Sequence, residues 1–165
     1  VGFVSASGSA AQSSGVSNLN RFSGIFFNNI KVTIFCILFS FIYGAGAIFI
    51  LTWNASIIGV AIGGYLRAEF AKISMLIGLP KVAEYFGTIT IGLFKYAIHG
   101  IPEILAYFVA GLAGGIISVA VIRHDFKGRK FEHIVLDAAD LLLLAIALLF
   151  VAGVLEVWVT PLIFG

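Results

Sequence analysis

Residues 32–66 form a run of thirty-five positions without a single Asp, Glu, Lys or Arg. A helix rises about 1.5 Å per residue, so about 20 apolar residues cross the roughly 30 Å hydrocarbon core of a bilayer. A helix on the surface of a soluble protein keeps a charged or polar face, and this long run does not provide one. The run therefore predicts a membrane protein, and it is too long for one span.

The composition of the whole chain agrees with a location in the lipid bilayer. The chain is 61% hydrophobic and 11% charged, whereas soluble domains carry roughly 25% charged residues. Its net charge of +2 is too small and dispersed for a nucleic-acid partner. Cys36 is the only cysteine, which excludes an internal disulfide and a cysteine-based metal site. We therefore expect a multi-pass protein of the cell membrane.

The apolar runs, taken in order, predict an all-α transmembrane bundle with about four spans. The first is expected at residues 30–51, where Lys31 marks the start and Trp53 with Asn54 marks the end. The second starts at residue 55 and either continues as a helix to about residue 79 or re-enters the same side, and we favour the continuing helix. The third is expected at residues 102–122, and the fourth runs from residue 134 or 141 to residue 160.

The segments outside these spans complete the expected organisation. Residues 1–21 are rich in Ser and Gly and predict an N-terminal loop, followed by a transmembrane domain at residues 22–165. Residues 78–95 contain Pro80, Lys81 and Glu84 and predict an amphipathic helix at the membrane surface. The chain begins Val-Gly-Phe and its only methionine is Met75, so we expect that an N-terminal segment is missing, and such a segment would add one further span.

Five polar residues close to the apolar runs are candidates for function. An ionisable side chain within a span costs a few kcal/mol, so such residues usually mark a functional site. Isolated buried polar groups are also unfavourable, which predicts that the candidates form one polar cluster. The candidates are Asn28, Asn29, His99, Glu103 and Glu156.

His99 and Glu103 have two interpretations. On an unbroken helix, residues four apart share a face, as metal-ligating pairs do. Pro102 instead favours the first position of a helix, which makes Glu103 an acid of the first turn and places His99 on a bend before the helix. We favour the second interpretation, a capped helix start with a polar turn.

The other three candidates are equally open. Glu156 follows fifteen charge-free residues, and it either hydrogen-bonds to the hydroxyl of Thr160 or points at lipid headgroups beside Trp158. Asn28 and Asn29 either cap the first span or bind another buried polar group.

Pairs of glycines four residues apart predict faces where helices approach closely. Gly59 and Gly63 form one such pair, and Gly111 and Gly115 form another. We expect Gly111 to serve packing within the monomer, whereas the face of Gly59 serves either the same packing or a contact between copies. The predicted assembly is a homo-oligomer, most simply a two-fold dimer.

Four sequence elements resemble the stage II sporulation protein M family of integral membrane proteins. They are Phe-Asn-Asn-Ile at residues 27–30, Trp53-Asn54, His-Gly-Ile-Pro-Glu at residues 99–103, and Glu156 followed by Thr160-Pro161. The resemblance covers residues 22–161. It implies a multi-pass scaffold, which in spore-forming bacteria anchors a complex with a peptidoglycan-degrading enzyme and a second membrane protein. It also maps the family's polar positions onto Asn28, Asn29, His99, Glu103 and Glu156.

Three functions remain in competition. A membrane scaffold that binds other membrane proteins comes first. A small transporter or channel, in which Glu103 or Glu156 titrates along a water-filled path, comes second. An intramembrane metal-dependent hydrolase comes third, with His99, Glu103 and Glu156 binding zinc or another divalent ion. We expect a protein without a cofactor that is not an enzyme.

Overall fold

The computed structural model describes residues 3–43, 46–73, 77–123 and 129–164. Its helices are α1 (Phe3–Tyr43), α2 (Gly46–Ile73), α3 (Leu79–Ile122) and α4 (Arg129–Val154), and α4 continues through a π-helical turn (Leu155–Val159) into the short α5 (Thr160–Phe164). Four of these helical segments are long and apolar enough to cross a membrane. The predicted all-α transmembrane bundle with four spans is therefore confirmed.

The boundary between the first two spans differs from the prediction. A span at residues 30–51 is wrong, because α1 ends at Tyr43 and α2 begins at Gly46. Trp53 and Asn54 lie inside α2 rather than at the end of a span. No charge marks this break in the sequence, and the only local signal is a pair of glycines at positions 44 and 46. The predicted continuation of the second span as a helix is confirmed as far as Ile73.

Two other segments are more helical than expected. The loop predicted for residues 1–21 is wrong over its described part, because α1 begins at Phe3. This stretch contains no proline, and it extends a helix that the apolar span already nucleates. The surface helix predicted at residues 78–95 is wrong as a separate element, since these residues belong to α3. With 44 residues, α3 is about 66 Å long, roughly twice the hydrocarbon thickness.

Three helices form the core of the bundle. Small side chains let α1, α3 and α4 approach closely around two larger groups, Tyr107 and Leu149, which are almost fully buried. The remaining members of this cluster are Cys36, Ala106, Ala110 and Ala145. Packing of this kind, through small residues, is the usual basis of helix association in lipid, where no hydrophobic effect drives helices together.

Helices α1 and α3 run parallel and touch through their backbones. A Cβ atom on Gly114 would lie 2.7 Å from the carbonyl oxygen of Ile37, so only glycine fits this position. Two hydrogen bonds flank the contact: the Ser40 hydroxyl donates to the carbonyl of Gly111 at 2.6 Å, and the Ser118 hydroxyl donates to the carbonyl of Phe41 at 2.7 Å. The contact fixes the register of the two helices.

Helix α2 lies at the edge of the bundle and packs mainly along α3. Ring contacts join the pair, with Phe70 and Tyr85 at a centroid distance of 4.5 Å. A Cβ atom on Gly92 would lie 2.9 Å from the ring of Tyr65, which marks a second close approach. Only 6% of the membrane window of α2 is buried, against 44% for α3. Most of the α2 surface therefore faces outward.

Candidate functional site

His99 and Glu103 lie on one unbroken helix. The interpretation of His99 as part of a bend before a helix is wrong, because α3 continues through Gly100 and Pro102. Transmembrane helices tolerate proline, since neighbouring groups can satisfy the backbone atoms it frees. Pro102 lacks an N–H and so removes the intrahelical donor to the carbonyl of Ile98. His99 and Glu103 consequently share a face of α3, one turn apart.

Tyr107 extends this row by another turn and provides the donor for Glu103. Its hydroxyl donates to Oε1 of Glu103 at 2.7 Å. Tyr107 is 1% exposed, so its hydroxyl depends on a partner within the protein. The Glu103 carboxyl group is thereby fixed at the edge of the packed core, within electrostatic range of both His99 and Glu156.

Glu156 belongs to the π-helical turn between α4 and α5. The backbone N–H and the side-chain hydroxyl of Thr160 both donate to the carbonyl of Leu155. The hydrogen bond considered between Thr160 and Glu156 is therefore not formed. A π turn inserts one extra residue into a helix and is frequent at functional sites. Here it widens the helix at the one carboxylate that follows the apolar run of α4.

A polar cavity of about 380 Å³ brings His99 and Glu156 together. Helix α1 contributes one cation and α3 contributes a second, while the π turn and α5 supply the opposite wall. The residues that line this polar cavity are Arg21, Lys95, Tyr96, His99, Glu156, Thr160, Pro161 and Phe164.

Charges of both signs face the polar cavity. Arg21 lies within electrostatic range of Glu156, yet in the described part of the chain no cation lies within 4 Å of the Glu156 carboxylate. Lys95 instead places its ammonium over the ring of Tyr65, 5.4 Å from the centroid. The carboxylate of Glu156 is thus available to a bound group.

His99 contributes an unusual buried nitrogen. Its Nδ1 is buried and has no hydrogen-bond partner. Among the described residues, no other buried side-chain nitrogen or oxygen atom lacks one. Native proteins leave few such atoms, because an unsatisfied buried polar group costs about 1–3 kcal/mol. The ring of His99 also packs 6.1 Å from that of Tyr96, measured between centroids.

The polar cavity lies at one end of the apolar runs. The charge-free residues 104–122 of α3 begin directly after Glu103, and the charge-free residues 141–155 of α4 end directly before Glu156. Because a short connection joins α3 to α4, the two helices run antiparallel, and these two ends coincide. The polar cavity is therefore close to the level of the lipid headgroups on that side.

The two asparagines occupy different places. Asn29 is 5% exposed on the buried side of α1, where its carbonyl accepts a hydrogen bond from Thr33 at 2.9 Å. Asn28 faces a separate groove of about 500 Å³ between α1 and α2, which Asn54 also lines. Neither asparagine caps a helix, since both lie well inside α1. The structure therefore brings together His99, Glu103 and Glu156 and leaves Asn28 apart.

The described residues contain no group of three or more His, Cys, Asp or Glu placed to hold a metal ion. His99, Glu103 and Glu156 are all among the described residues, so their proximity is electrostatic rather than that of a preformed zinc site. Zinc binding at these residues stays a prediction without structural support.

Sequence reasoning missed three residues of the site. Tyr107 could have been found from its position four residues after Glu103 on a continuous helix. Arg21 and Lys95 gave no comparable signal, because cations near the end of a span are common and usually reach toward headgroups. Their convergence depends on the parallel register of α1 and α3.

Comparison with known proteins agrees with the resemblance seen in the sequence. The family model described as stage II sporulation protein M matches residues 2–161 of the 165 residues. No curated protein and no solved structure matches the chain. The matched region includes all five candidate residues and every residue that lines the polar cavity except Phe164. The chain belongs to the stage II sporulation protein M family.

Proposed function

We propose that this protein is a multi-pass membrane scaffold that binds partner membrane proteins, including a second copy of itself, through the outer surface of α2. The observation that carries the proposal is the contrast between α2 and the rest of the bundle. Helices α1, α3 and α4 bury a set of small residues against one another, whereas Gly59 and Gly63 of α2 meet no neighbouring atom. The transport and hydrolase alternatives have no comparable support.

A row of small residues runs along the outer surface of α2. Its members are spaced by three or four positions, so they share one helix face over about three turns. We call this row the smooth face, and it consists of Thr52, Ser56, Gly59 and Gly63, all of which are exposed. A Cβ atom on either glycine would meet no atom within 4 Å.

The hydroxyl groups of the smooth face are already satisfied. Thr52 donates to the carbonyl of Ile48 at 2.8 Å, and Ser56 donates to the carbonyl of Thr52 at 2.9 Å. The smooth face therefore presents small, internally bonded side chains against which another helix backbone can pack closely. Such packing supports both self-association and the docking of a partner's transmembrane helix.

The oligomeric state in detergent tests the self-association. We expect the wild-type protein to be a dimer and the Gly59→Leu variant to be a monomer of unchanged helix content. Gly24→Leu is the matched control, because Gly24 lies exposed on α1 with no atom near its Cβ position. Gly111→Leu should instead destabilise the monomer, since Gly111 is buried beside Ser40.

Cysteine crosslinking in native membranes tests the same surface without detergent. Cys36 is fully buried, so only an introduced cysteine can form the crosslink. Ser56→Cys should form a disulfide-linked dimer, and Ser23→Cys, exposed on α1, should not. A monomer at every concentration and in several detergents, together with no crosslink from Ser56→Cys, would contradict self-association through the smooth face.

A photo-crosslinking amino acid tests the wider scaffold role. Placed at Val60, which is 77% exposed on α2, it should yield adducts with partner proteins in membranes of the source organism. Placed at Leu144, which is 49% exposed on α4, it should yield only lipid adducts. Lipid adducts alone at both positions would refute a scaffold that works through α2.

A further inference from the structure

We propose that the polar cavity binds a phosphate group that carries a neighbouring ammonium group, as in the headgroup of phosphatidylethanolamine. This inference goes beyond the scaffold role and does not depend on the smooth face of α2. It rests on the charges, the size and the membrane level of the cavity.

The charges of the polar cavity match a zwitterion. Arg21 and Lys95 supply two cations, and an arginine guanidinium is well suited to a phosphate oxygen pair. Glu156 supplies one carboxylate that no described cation contacts within 4 Å. A phosphate alone would meet repulsion from Glu156, and an ammonium alone would meet repulsion from both cations. A ligand with both groups meets a charge of opposite sign at Glu156 and at Arg21, and the Lys95 ammonium, which lies over the ring of Tyr65, adds to the positive side.

The size and the walls of the polar cavity suit a headgroup. Its volume of about 380 Å³ lies within the roughly 300–1,000 Å³ of small-molecule sites. Pro161 and Phe164 add an apolar wall beside the charged groups. A headgroup bound here would therefore keep its glycerol and acyl carbons against apolar side chains.

The position of the polar cavity favours a ligand from the membrane. Glu156 directly follows the charge-free run of α4, and His99 lies just before the charge-free run of α3. Both transitions lie at the same end of the bundle, where the hydrocarbon region gives way to headgroups. A lipid in the adjacent leaflet can place its phosphate at this level without leaving the bilayer.

Two features of the π turn keep Glu156 available to the ligand. The extra residue of the turn changes the direction of the side chains that follow it, relative to a regular helix. The Thr160 hydroxyl donates its hydrogen bond to the carbonyl of Leu155, so it does not donate to the Glu156 carboxylate. Glu156 can therefore accept hydrogen bonds from a primary ammonium, which donates three, but none from a quaternary ammonium, which has no N–H.

Native mass spectrometry of the full chain in detergent measures the binding. The probes are phosphatidylethanolamine and phosphatidylcholine with identical acyl chains, and soluble glycerophosphoethanolamine as competitor. We expect the wild-type protein to bind phosphatidylethanolamine about tenfold more tightly than phosphatidylcholine, the effect of one charge-assisted hydrogen bond. Glu156→Gln should reduce this preference to less than about twofold, because its neutral amide loses the charge.

Variants of the cations test the phosphate half of the site. Arg21→Gln should weaken the binding of both lipids by about tenfold without changing the preference between them. Lys95→Gln is a second variant of the same kind, in case one of the two folds poorly. Lys31→Gln and Glu69→Gln are controls, because both residues lie outside the polar cavity, and both should bind as the wild type does.

The competitor separates two sources of the same chemistry. If glycerophosphoethanolamine does not displace the lipid, the ligand is a membrane lipid. If it does so at similar concentration, the cavity takes a free phosphoethanolamine compound, and the assigned chemistry holds. Equal binding of the two lipids by the wild type, or a preference that survives Glu156→Gln, would overturn the assignment. Binding that neither cation variant weakens would overturn it as well.

Discussion

Replacing Gly114 by alanine tests whether the parallel contact between α1 and α3 holds the bundle together. The new Cβ atom would lie 2.7 Å from the backbone oxygen of Ile37. Neither atom can rotate away, because the carbonyl oxygen belongs to one helix backbone and the position of the Cβ atom is fixed by the other. The two helices must therefore move apart by several tenths of an ångström.

The expected loss of stability follows from three contributions. Overpacking costs about 2 kcal/mol, within the range seen when a methyl group is forced into a packed core. The separation also weakens the hydrogen bonds of Ser40 and Ser118 to the opposite helix, together about 1 kcal/mol. Alanine regains about 1 kcal/mol through its higher helix propensity. The free energy of unfolding should thus fall by about 2 kcal/mol.

Unfolding by titration with a denaturing detergent gives this free energy for Gly114→Ala and two controls. Gly24→Ala meets no atom within 4 Å and should be neutral or slightly stabilising. Gly115→Ala meets only the Ser40 hydroxyl at 3.3 Å, a group that can adjust, so its effect should be intermediate. If Gly114→Ala is as stable as Gly24→Ala, the backbone contact does not support the fold.

Two further substitutions probe the packing elsewhere. Gly153→Ala should lower the free energy of unfolding by about 1–2 kcal/mol, because its Cβ would lie 2.8 Å from the ring of Phe22, which packs against the ring of Trp158. If the Phe22 ring is the obstacle, adding Phe22→Leu to the same chain should recover most of that loss. Ser118→Ala should lower the free energy of unfolding by about 0.6 kcal/mol, because it removes the hydrogen bond to the carbonyl of Phe41. A decrease above about 2 kcal/mol in the same unfolding assay would contradict an ordinary hydrogen bond between membrane helices.

The number of spans could be predicted from the sequence because hydropathy decides it. A charge-free run of 19 residues, such as residues 104–122, leaves a helix no alternative to the bilayer. The residues at which each span begins and ends were harder to predict. Charges and aromatic residues suggested ends at Lys31 and Trp53, yet both residues lie inside helices. Hydropathy cannot detect the boundary between two helices within one apolar run, and the glycines at positions 44 and 46 were the only local signal.

The interruption predicted at residues 99–102 shows a second limit. Gly100 and Pro102 break helices in water, where the freed backbone groups bind solvent instead. In a bundle, neighbouring helices and the lack of water favour a continuous helix, and α3 runs through both residues. Rules derived from soluble proteins therefore placed His99 outside a helix that contains it.

The candidate site could be predicted in part for a related reason. Few ionisable residues lie next to the apolar runs, so His99, Glu103 and Glu156 could be identified from the sequence. Their mutual placement needed the antiparallel register of α3 and α4, which a sequence does not contain. Asn28 was assigned to the same cluster because isolated buried polar groups are costly and because the family resemblance included it, but it faces the groove between α1 and α2. The cost of burying an unpaired polar group predicts that such groups have partners, but it does not predict which partners they have.

Glu103 and Glu156 appear equivalent in the sequence, but their surroundings predict opposite behaviour. Glu103 accepts the hydroxyl of buried Tyr107, whereas no described side chain donates to Glu156. A double-mutant cycle of Glu103→Leu with Tyr107→Phe should therefore give a coupling energy of about 1.5 kcal/mol, because each single variant leaves the other group unsatisfied. The cycle of Glu156→Leu with Tyr107→Phe should give less than about 0.5 kcal/mol. Equal coupling in the two cycles would show that the three residues act as one network, with Glu156 held by the core rather than free for a ligand.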